Sequence, residues 1–349
     1  MKDKELHNKV FALVGGTGTL GNALTEYILK NLNPKRIRII SRDEKKQQEM
    51  AQKFAYNGDK LRFFIGDIRD KPRMMTALHD VDYVIHAAAL KQVPSCEYNP
   101  FEAVKTNILG TQNVIEASIK NRVKTLVCLS TDKAVSPLNL YGATKMCLER
   151  LAIAGNVYNR NLGDTKIIVT RYGNVINSRG SVIELWEKQL KEGQPLTLTD
   201  ERMTRFWMPI ETAVKLIITA IKEGRGGEIF IPKAPKVLMK DVANETATKY
   251  FEKQVGSLDR SIELGRIMME QRLGMVRTQT STATSSNCAD IKITGLRPSE
   301  KLFEVLINEH EANRTLEFKE HYIILPEFLP ASKYPKSKKY KGGSYTSEI

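Results

Sequence analysis

Short apolar runs alternate with segments in which apolar residues recur every three or four positions, and this continues through the first half of the chain. Val10–Val14, Ile37–Ser41, Leu61–Ile65, Tyr83–His86, Thr125–Leu129 and Lys166–Thr170 read as strands. Between them lie helical patterns: through Leu24, Tyr27, Ile28 and Leu32, a charged one at Asp43–Phe54, then Met74–Leu78, Pro100–Lys120 and Tyr141–Tyr158. Strands alternating with helices at this spacing predict a parallel sheet with right-handed crossovers.

Beyond Arg171 the alternation loosens. Ser181–Lys191 and Thr212–Lys222 look helical, Pro195–Leu198 and Glu228–Ile231 strand-like, and Ser299–Ile307 reads as a helical run. The segment 253–287 is atypical: a helical stretch at Ile262–Leu273, then the polar run TQTSTATSSN, expected to be a surface loop or disordered. The division implied is 1–171 for the main sheet, 172–330 for a smaller α/β substrate-binding region interrupted by 253–287, and a tail at 331–349. The tail carries Lys333, Lys336, Lys338, Lys339 and Lys341 against Glu348, and reads as a flexible, dispensable extension.

Composition changes this picture little. The 349 residues are 41% hydrophobic, enough for a sizeable core, and no apolar run reaches the length of a membrane span. The polar start MKDKELHNKV lacks a signal-peptide core, so a cytoplasmic protein is expected. Cys96, Cys128, Cys147 and Cys288 show no metal-ligand spacing and the five histidines are scattered, so no metal and no disulfide are expected. The net charge of +14 invites a nucleic-acid partner, but no nucleic-acid motif accompanies it. A basic surface equally suits an anionic small substrate.

The first strand runs straight into GGTGTLG and then a helix, the arrangement a pyrophosphate needs. Gly15 would permit the turn, Gly18 the approach of phosphate, and Gly21 close packing of the helix, with Thr17, Thr19 and Leu20 in the same loop. The fold class is therefore α/β, a Rossmann-like doubly wound parallel sheet. At the end of the second strand stand Ser41 and Arg42, followed by Asp43 and Lys46. A hydroxyl beside a guanidinium suits a 2′-phosphate, so NADP is expected rather than NAD. Asp67 and Ile68 follow the third strand, where a carboxylate could meet the adenine amine; Ala87 and Ala88 follow the fourth, small enough for a cofactor to lie against the backbone.

The stretch STDKAVSPLNLYGATK carries the chemistry. Tyr141 and Lys145 stand one helical turn apart, and a cation beside a phenol favours the phenolate. Asp132 and Lys133 form a second acid/base pair, which suggests a reaction with more than one proton transfer.

With these motifs in view, the chain resembles the extended short-chain dehydrogenase/reductases. Within them it is similar to the UDP-N-acetylglucosamine 4,6-dehydratases of the configuration-inverting type, which open the pseudaminic acid pathway. The likeness rests on VGGTGTLG, SRDEKKQQEM, HAAALKQVPSCEYNPFEAVKTNILGTQNV, STDKAVSPLNLYGATK, RYGNV, SRGSV, LTLTDERMTRFWM and GLRPSEK. It implies a tightly bound NADP, recycled each turnover, touched also by Tyr141 and Lys145. It implies that Tyr141 takes the C4 hydroxyl proton, Lys133 the C5 proton, and Asp132 protonates the departing C6 hydroxyl. Thr131 would bond the substrate hydroxyl, and Asn107 would position Lys145 through water. Lys91, Asn174, Arg202, Arg205, Arg297 and Glu300 would hold UDP-N-acetylglucosamine, and the protein would be a homo-oligomer. Two departures stand out: Ser299 where the family usually has Gly, and the long segment before Ile291. The alternatives are a UDP-sugar 4-epimerase or another NADP-dependent nucleotide-sugar oxidoreductase of this fold, and an NADP-sensing regulator without catalysis.

Overall fold

Seven strands lie side by side and all run parallel: β3 (Leu61–Ile65), β2 (Arg36–Ser41), β1 (Val10–Val14), β4 (Tyr83–His86), β5 (Thr125–Leu129), β6 (Lys166–Thr170) and β10 (Ile229–Pro232). The computed structural model describes residues 2–159, 164–254 and 290–349. The expected Ile262–Leu273 helix and the TQTSTATSSN run lie outside the described residues. The central strands β1, β4 and β5 are buried at every position because both faces of the sheet are covered. Alternate residues of β1 divide between two cores: Val10, Ala12 and Val14 pack on one side, Phe11 and Leu13 on the other. Leu126 and Cys128 of β5 join the first core, Val127 and Leu129 the second.

The helices around the sheet are α1 (Thr19–Asn31), α2 (Glu44–Lys53), α3 (Lys71–Ala77), α4 (Val93–Tyr98), α5 (Pro100–Val104), α6 (Gly110–Lys120), α7 (Leu140–Tyr158) and α9 (Ile210–Glu223), while α8 (Val182–Lys191) lies away from it. The expected Pro100–Lys120 helix is α5 and α6 joined by one π turn at Lys105–Leu109. The strand order reverses direction at β1 and β4, and ligand crevices of such sheets open at that point, outside the carboxyl ends of the strands.

The C-terminal residues correct two expectations. Ser299–Ile307 is no helix. It is a loop that ends in β13 (Val305–Ile307), paired antiparallel with β17 (Tyr345–Thr346). The tail is not a loose extension either. Its β16 (Lys338–Lys339) extends the main sheet beyond β14 (Thr315–Glu317) and β15 (His321–Ile324), making ten strands. Tyr334 is buried and donates to the buried Glu228 carboxylate, while Ser347 is fully buried. Lysines dominate the composition of this segment, but its anchors are the few aromatic and hydroxyl side chains between them.

The boundary near 171 is also less clean than expected. Residues beyond it return to the main sheet as β10, β14, β15 and β16. What stands apart is a small layer of β7 (Asn174–Val175), β9 (Thr204–Met208) and β11 (Lys236–Leu238), with β8 (Leu196–Leu198) paired to β12 (Ile291–Ile293). Trp186 and Leu190 of α8 pack under it with Leu196, Leu198 and Met203. Among the described residues no helix is long and apolar enough to cross a membrane, and no cluster could hold a metal ion.

Candidate active site

A cleft of about 890 Å³ runs between the ends of β1–β6 and the small layer. Its floor is the β1–α1 turn. Gly15 has φ +80°, and a side chain there would meet the backbone of Ala88. A Cβ on Gly21 would lie 2.1 Å from the Gly16 carbonyl oxygen, so the residue allows α1 to close on the turn. A Cβ on Gly18 would meet nothing closer than the Gly15 oxygen at 3.6 Å. That position faces open space at the N-terminus of α1, whose first turn has no side-chain cap and no acid. Free N–H groups and the helix dipole there fit a pyrophosphate.

All the residues expected to hold the cofactor line this cleft: the Gly15–Gly21 loop, Ser41, Arg42, Asp43, Lys46, Asp67, Ile68, Ala87, Ala88, Tyr141 and Lys145. Asp43 is spent on local structure, capping α2 through the Lys46 N–H at 3.0 Å and pairing with the Lys46 ammonium at 2.6 Å. Arg42 remains half-exposed, loosely tied to Asp67 at 3.5 Å. Burial pushes the Asp67 carboxyl up, but Arg69, donating to it at 3.0 and 2.6 Å, holds it below its usual range.

The catalytic candidates meet on the other wall. Thr131 follows β5 and accepts from the Lys133 N–H, starting a short turn at Asp132–Ala134. α7 begins just after, with Asn139 capping it through the Gly142 N–H at 2.8 Å. A Cβ on Gly142 would sit 2.2 Å from the Lys133 carbonyl oxygen, so only glycine lets this helix approach the turn so closely. That approach brings the two sequence pairs into one site. Lys145, 4% exposed, donates to the Leu129 carbonyl at 2.7 Å. Burial depresses its ammonium to about 8.

Tyr141 is not the ready phenolate that its spacing from Lys145 suggests. Burial pushes the phenol up to about 12, and the cation opposing this is Lys133. Asp132 is 1% exposed, and burial, aided by Glu304, raises its carboxyl despite the Lys133 ammonium. Thr131 donates to its Oδ1 at 2.9 Å, and Oδ2 has no partner among the described residues. Lys133 lies 3.2 Å from Asp132 and 3.0 Å from Glu304, and the two carboxylates raise its affinity for the proton against the effect of burial. Asn107 sits on the π turn. It bonds both backbone groups of Leu90 and the Thr144 hydroxyl and does not touch Lys145 directly.

The substrate candidates divide. Lys91, Thr131 and Asn174 line the cleft, Lys91 donating to the Arg179 carbonyl at 2.6 Å. Arg202, Arg205, Arg297 and Glu300 do not line it. Arg205, 6% exposed, is caged by the carbonyls of Thr204, Lys301 and Leu302 at 2.7–3.0 Å, so it shapes the GLRPSEK loop rather than offering its charge to the cleft. Arg202 pairs with Asp200, and Glu300 accepts from the Arg297 N–H. Sequence reasoning missed Arg179, Tyr172 and Trp207 on the cleft wall, and Glu304 beside Lys133. The signal for Glu304 was a lone acid inside the apolar run from Leu302 to Ile307.

Ser299 occupies φ +67°, where a side chain costs energy and Gly does not. Ser299→Gly is therefore expected to stabilise the protein by roughly 0.5–1 kcal/mol. A thermal melt checks it: an unchanged or lower Tm means the turn is unstrained.

Comparison with known proteins follows the same lines. The polysaccharide biosynthesis protein family matches residues 11–326. A UDP-N-acetylglucosamine 4,6-dehydratase (inverting) from Campylobacter jejuni is 42% identical, over 92% of this chain and 84% of that one. A UDP-glucose 4-epimerase from Rickettsia prowazekii is 50% identical over a shorter span, 65% of this chain and 67% of its own length. The solved structure of Pen from Bacillus thuringiensis superposes with a TM-score of 0.83 at 36% identity, covering 98% of this chain and 93% of that one.

Proposed function

Because the chain belongs to the polysaccharide biosynthesis protein family, we propose that it is an inverting UDP-N-acetylglucosamine 4,6-dehydratase. The observation that carries this reading is the pairing of the buried Asp132 with Lys133 in the same cleft as Tyr141 and Lys145. Oxidation and reduction at a single carbon require only a tyrosine and its lysine. Elimination across C5 and C6 requires an acid and a base as well.

Each side chain has a part that its surroundings support. Tyr141, once its phenol has given up its own proton with the Lys133 charge favouring that loss, receives the proton of the substrate's C4 hydroxyl. A bound nicotinamide would accept hydride from C4 and return it to C6, so the cofactor ends each turnover unchanged. The C4 ketone acidifies the C5 hydrogen, which Lys133 removes. Asp132, whose burial favours the neutral carboxyl, gives its proton to the leaving C6 hydroxyl. Reprotonation of C5 on the opposite face gives UDP-2-acetamido-2,6-dideoxy-β-L-arabino-hex-4-ulose. NADP is the cofactor this reading takes, since Ser41 and the half-exposed Arg42 stand at the end of β2. The reading extends to a cytoplasmic step of the pseudaminic acid type. It also extends to a homo-oligomer, in which the exposed Tyr98, Phe101 and Leu109 of neighbouring helices are covered.

A UDP-glucose 4-epimerase is the second reading, favoured by the 50% identity of the Rickettsia relative. One experiment separates them. Protein incubated with UDP-N-acetylglucosamine in deuterated water is followed by proton NMR. A dehydratase yields a C6 methyl group and deuterium at C5 with no net consumption of cofactor. A C4 epimer without the methyl signal sinks the dehydratase reading.

A further inference from the structure

Two carboxylates face the Lys133 ammonium. Asp132 is its neighbour in sequence, whereas Glu304 comes from the loop before β13 and reaches it at 3.0 Å. Glu304 is 2% exposed. Its Oε1 also faces Arg205 Nε at 4.0 Å, and its Oε2 has no hydrogen-bond partner among the described residues. Lys301 contributes a third positive charge nearby, with its own ammonium turned to the Val135 carbonyl at 2.7 Å. Burial pushes the Glu304 carboxyl up, but Lys133 and Arg205 hold it below its usual range.

What fixes Glu304 is the C-terminal segment. The Ser347 N–H donates to the Glu304 carbonyl at 2.8 Å, and the Glu304 N–H donates to the Ser347 hydroxyl oxygen at 2.9 Å. That hydroxyl donates onward to the Thr204 carbonyl at 3.1 Å, beside Arg205. The β13–β17 pairing continues the grip from this point, with Val305 opposite Thr346 and Ile307 opposite Tyr345. A segment of lysines, glycines and serines thus ends in a clamp on the backbone of the residue that holds Lys133.

We propose that Glu304, clamped by Ser347, is a positioning residue for the elimination step, holding the Lys133 amine in the cleft. The proposal rests on the dehydratase reading. Asp132 comes from the same short turn as Lys133, whereas Glu304 reaches the ammonium from a separate segment at 3.0 Å. The step begins from the neutral Lys133 amine, the protonated Asp132 carboxyl and the Glu304 carboxylate. The amine lone pair then takes the C5 proton, and the C5–H electrons become the C5–C6 π bond. The C6–O bond breaks as Asp132 gives its proton to the departing hydroxyl, which leaves as water. Lys133 ends as ammonium and Asp132 as carboxylate while Glu304 stays a carboxylate, so charge and protons balance.

The test compares wild type, Glu304→Gln, Glu304→Asp and a chain lacking residues 345–349. In Glu304→Gln, formation of the 6-deoxy-4-keto product is expected to fall on the order of 10²-fold. Transient reduction of the bound nicotinamide on adding UDP-N-acetylglucosamine should persist, because oxidation at C4 does not use Lys133 as a base. The alkaline limb of the pH profile should move to lower pH, since Asp132 loses the neighbouring negative charge that helps keep it protonated. Glu304→Asp should recover part of the rate, and the truncated chain should show the same split more weakly. Carbon-13 NMR of labelled lysines gives a readout without turnover: the Lys133 titration should shift down in Glu304→Gln. Wild-type turnover and pH limb in Glu304→Gln overturn the proposal. So does equal loss of nicotinamide reduction and elimination in a folded variant whose Lys133 titration is unmoved. A wild-type protein that makes no 6-deoxy product overturns the dehydratase reading and this step together, and is told apart because it shows before any variant is compared.

Discussion

Arg171→Leu is expected to cost about 3–5 kcal/mol of stability, a large share of the roughly 5–15 kcal/mol that holds a domain folded. Arg171 is 2% exposed and every direction of its fork is used. Nε and Nη2 donate to Glu149 at 2.8 and 2.6 Å, Nη2 and Nη1 to Glu311 at 2.7 and 2.9 Å, and Nη1 to the Leu306 carbonyl at 2.8 Å. Ser130 adds a hydroxyl to Glu149 at 2.6 Å. Leucine fills part of the volume but leaves two buried carboxylates facing one another without a cation, which costs more than the lost bonds themselves. Arg171→Lys is expected to recover little, because an ammonium cannot span both carboxylates. The pH dependence has a definite sign. Burial pushes Glu311 up while Arg171 and its own helix cap hold it below the usual carboxylate range, so in wild type this stability is present above that range and lost on acidification. Without the guanidinium the Glu311 carboxyl rises, so the variant's deficit shrinks as pH falls. Urea melts at neutral and mildly acidic pH measure both effects. An unchanged midpoint at neutral pH would show that the network contributes nothing net.

The same arginine explains what could and could not be read from the chain. RYGNV marked its importance, but its partners lie in α7 and just beyond β13, far apart in sequence. The sheet frame was legible because strands buried on both faces leave continuous apolar runs, and the β1–α1 turn because its glycines have steric reasons that follow from the loop itself. The C-terminal segment was not legible. Lysine, serine and glycine favour disorder locally, and what orders 331–349 is pairing with β14 and β13, to which no periodicity points. The reading of Ser299–Ile307 as helix failed for the same reason: a partner strand settled a stretch whose own pattern was ambiguous. Arg205 shows the limit of arguing from residue type. A guanidinium suits a diphosphate, but here three backbone carbonyls reach it first. The expected Tyr141 phenolate weighed the neighbouring cation and could not weigh burial, which is the larger effect.

Asp132→Asn is expected to slow dehydration by about 10²–10⁴-fold, or roughly 3–5 kcal/mol of transition-state stabilisation, while leaving the fold intact. Both halves follow from the burial of this carboxyl, which favours its protonated form. A neutral amide of the same shape then replaces a neutral acid, so no buried charge is created or orphaned. The Thr131 hydroxyl can still donate to the side-chain oxygen, as it does to Oδ1 at 2.9 Å. Lys133 keeps Glu304 at 3.0 Å as its counter-charge. What the amide cannot do is surrender a proton to a departing hydroxyl. Tyr141 and Lys145 are untouched, so the variant should still oxidise the substrate at C4 and stall there, with the nicotinamide left reduced and no C6 methyl group formed. Stopped-flow absorbance of the reduced nicotinamide and NMR of the product, beside a melt showing an unshifted Tm, read the three quantities separately. Dehydration within a few fold of wild type would remove Asp132 from the acid role. Loss of C4 oxidation in equal measure would mean the residue merely holds the cleft together. A full rate of C4 epimerisation in the variant would instead identify a reaction that never needed an acid at C6.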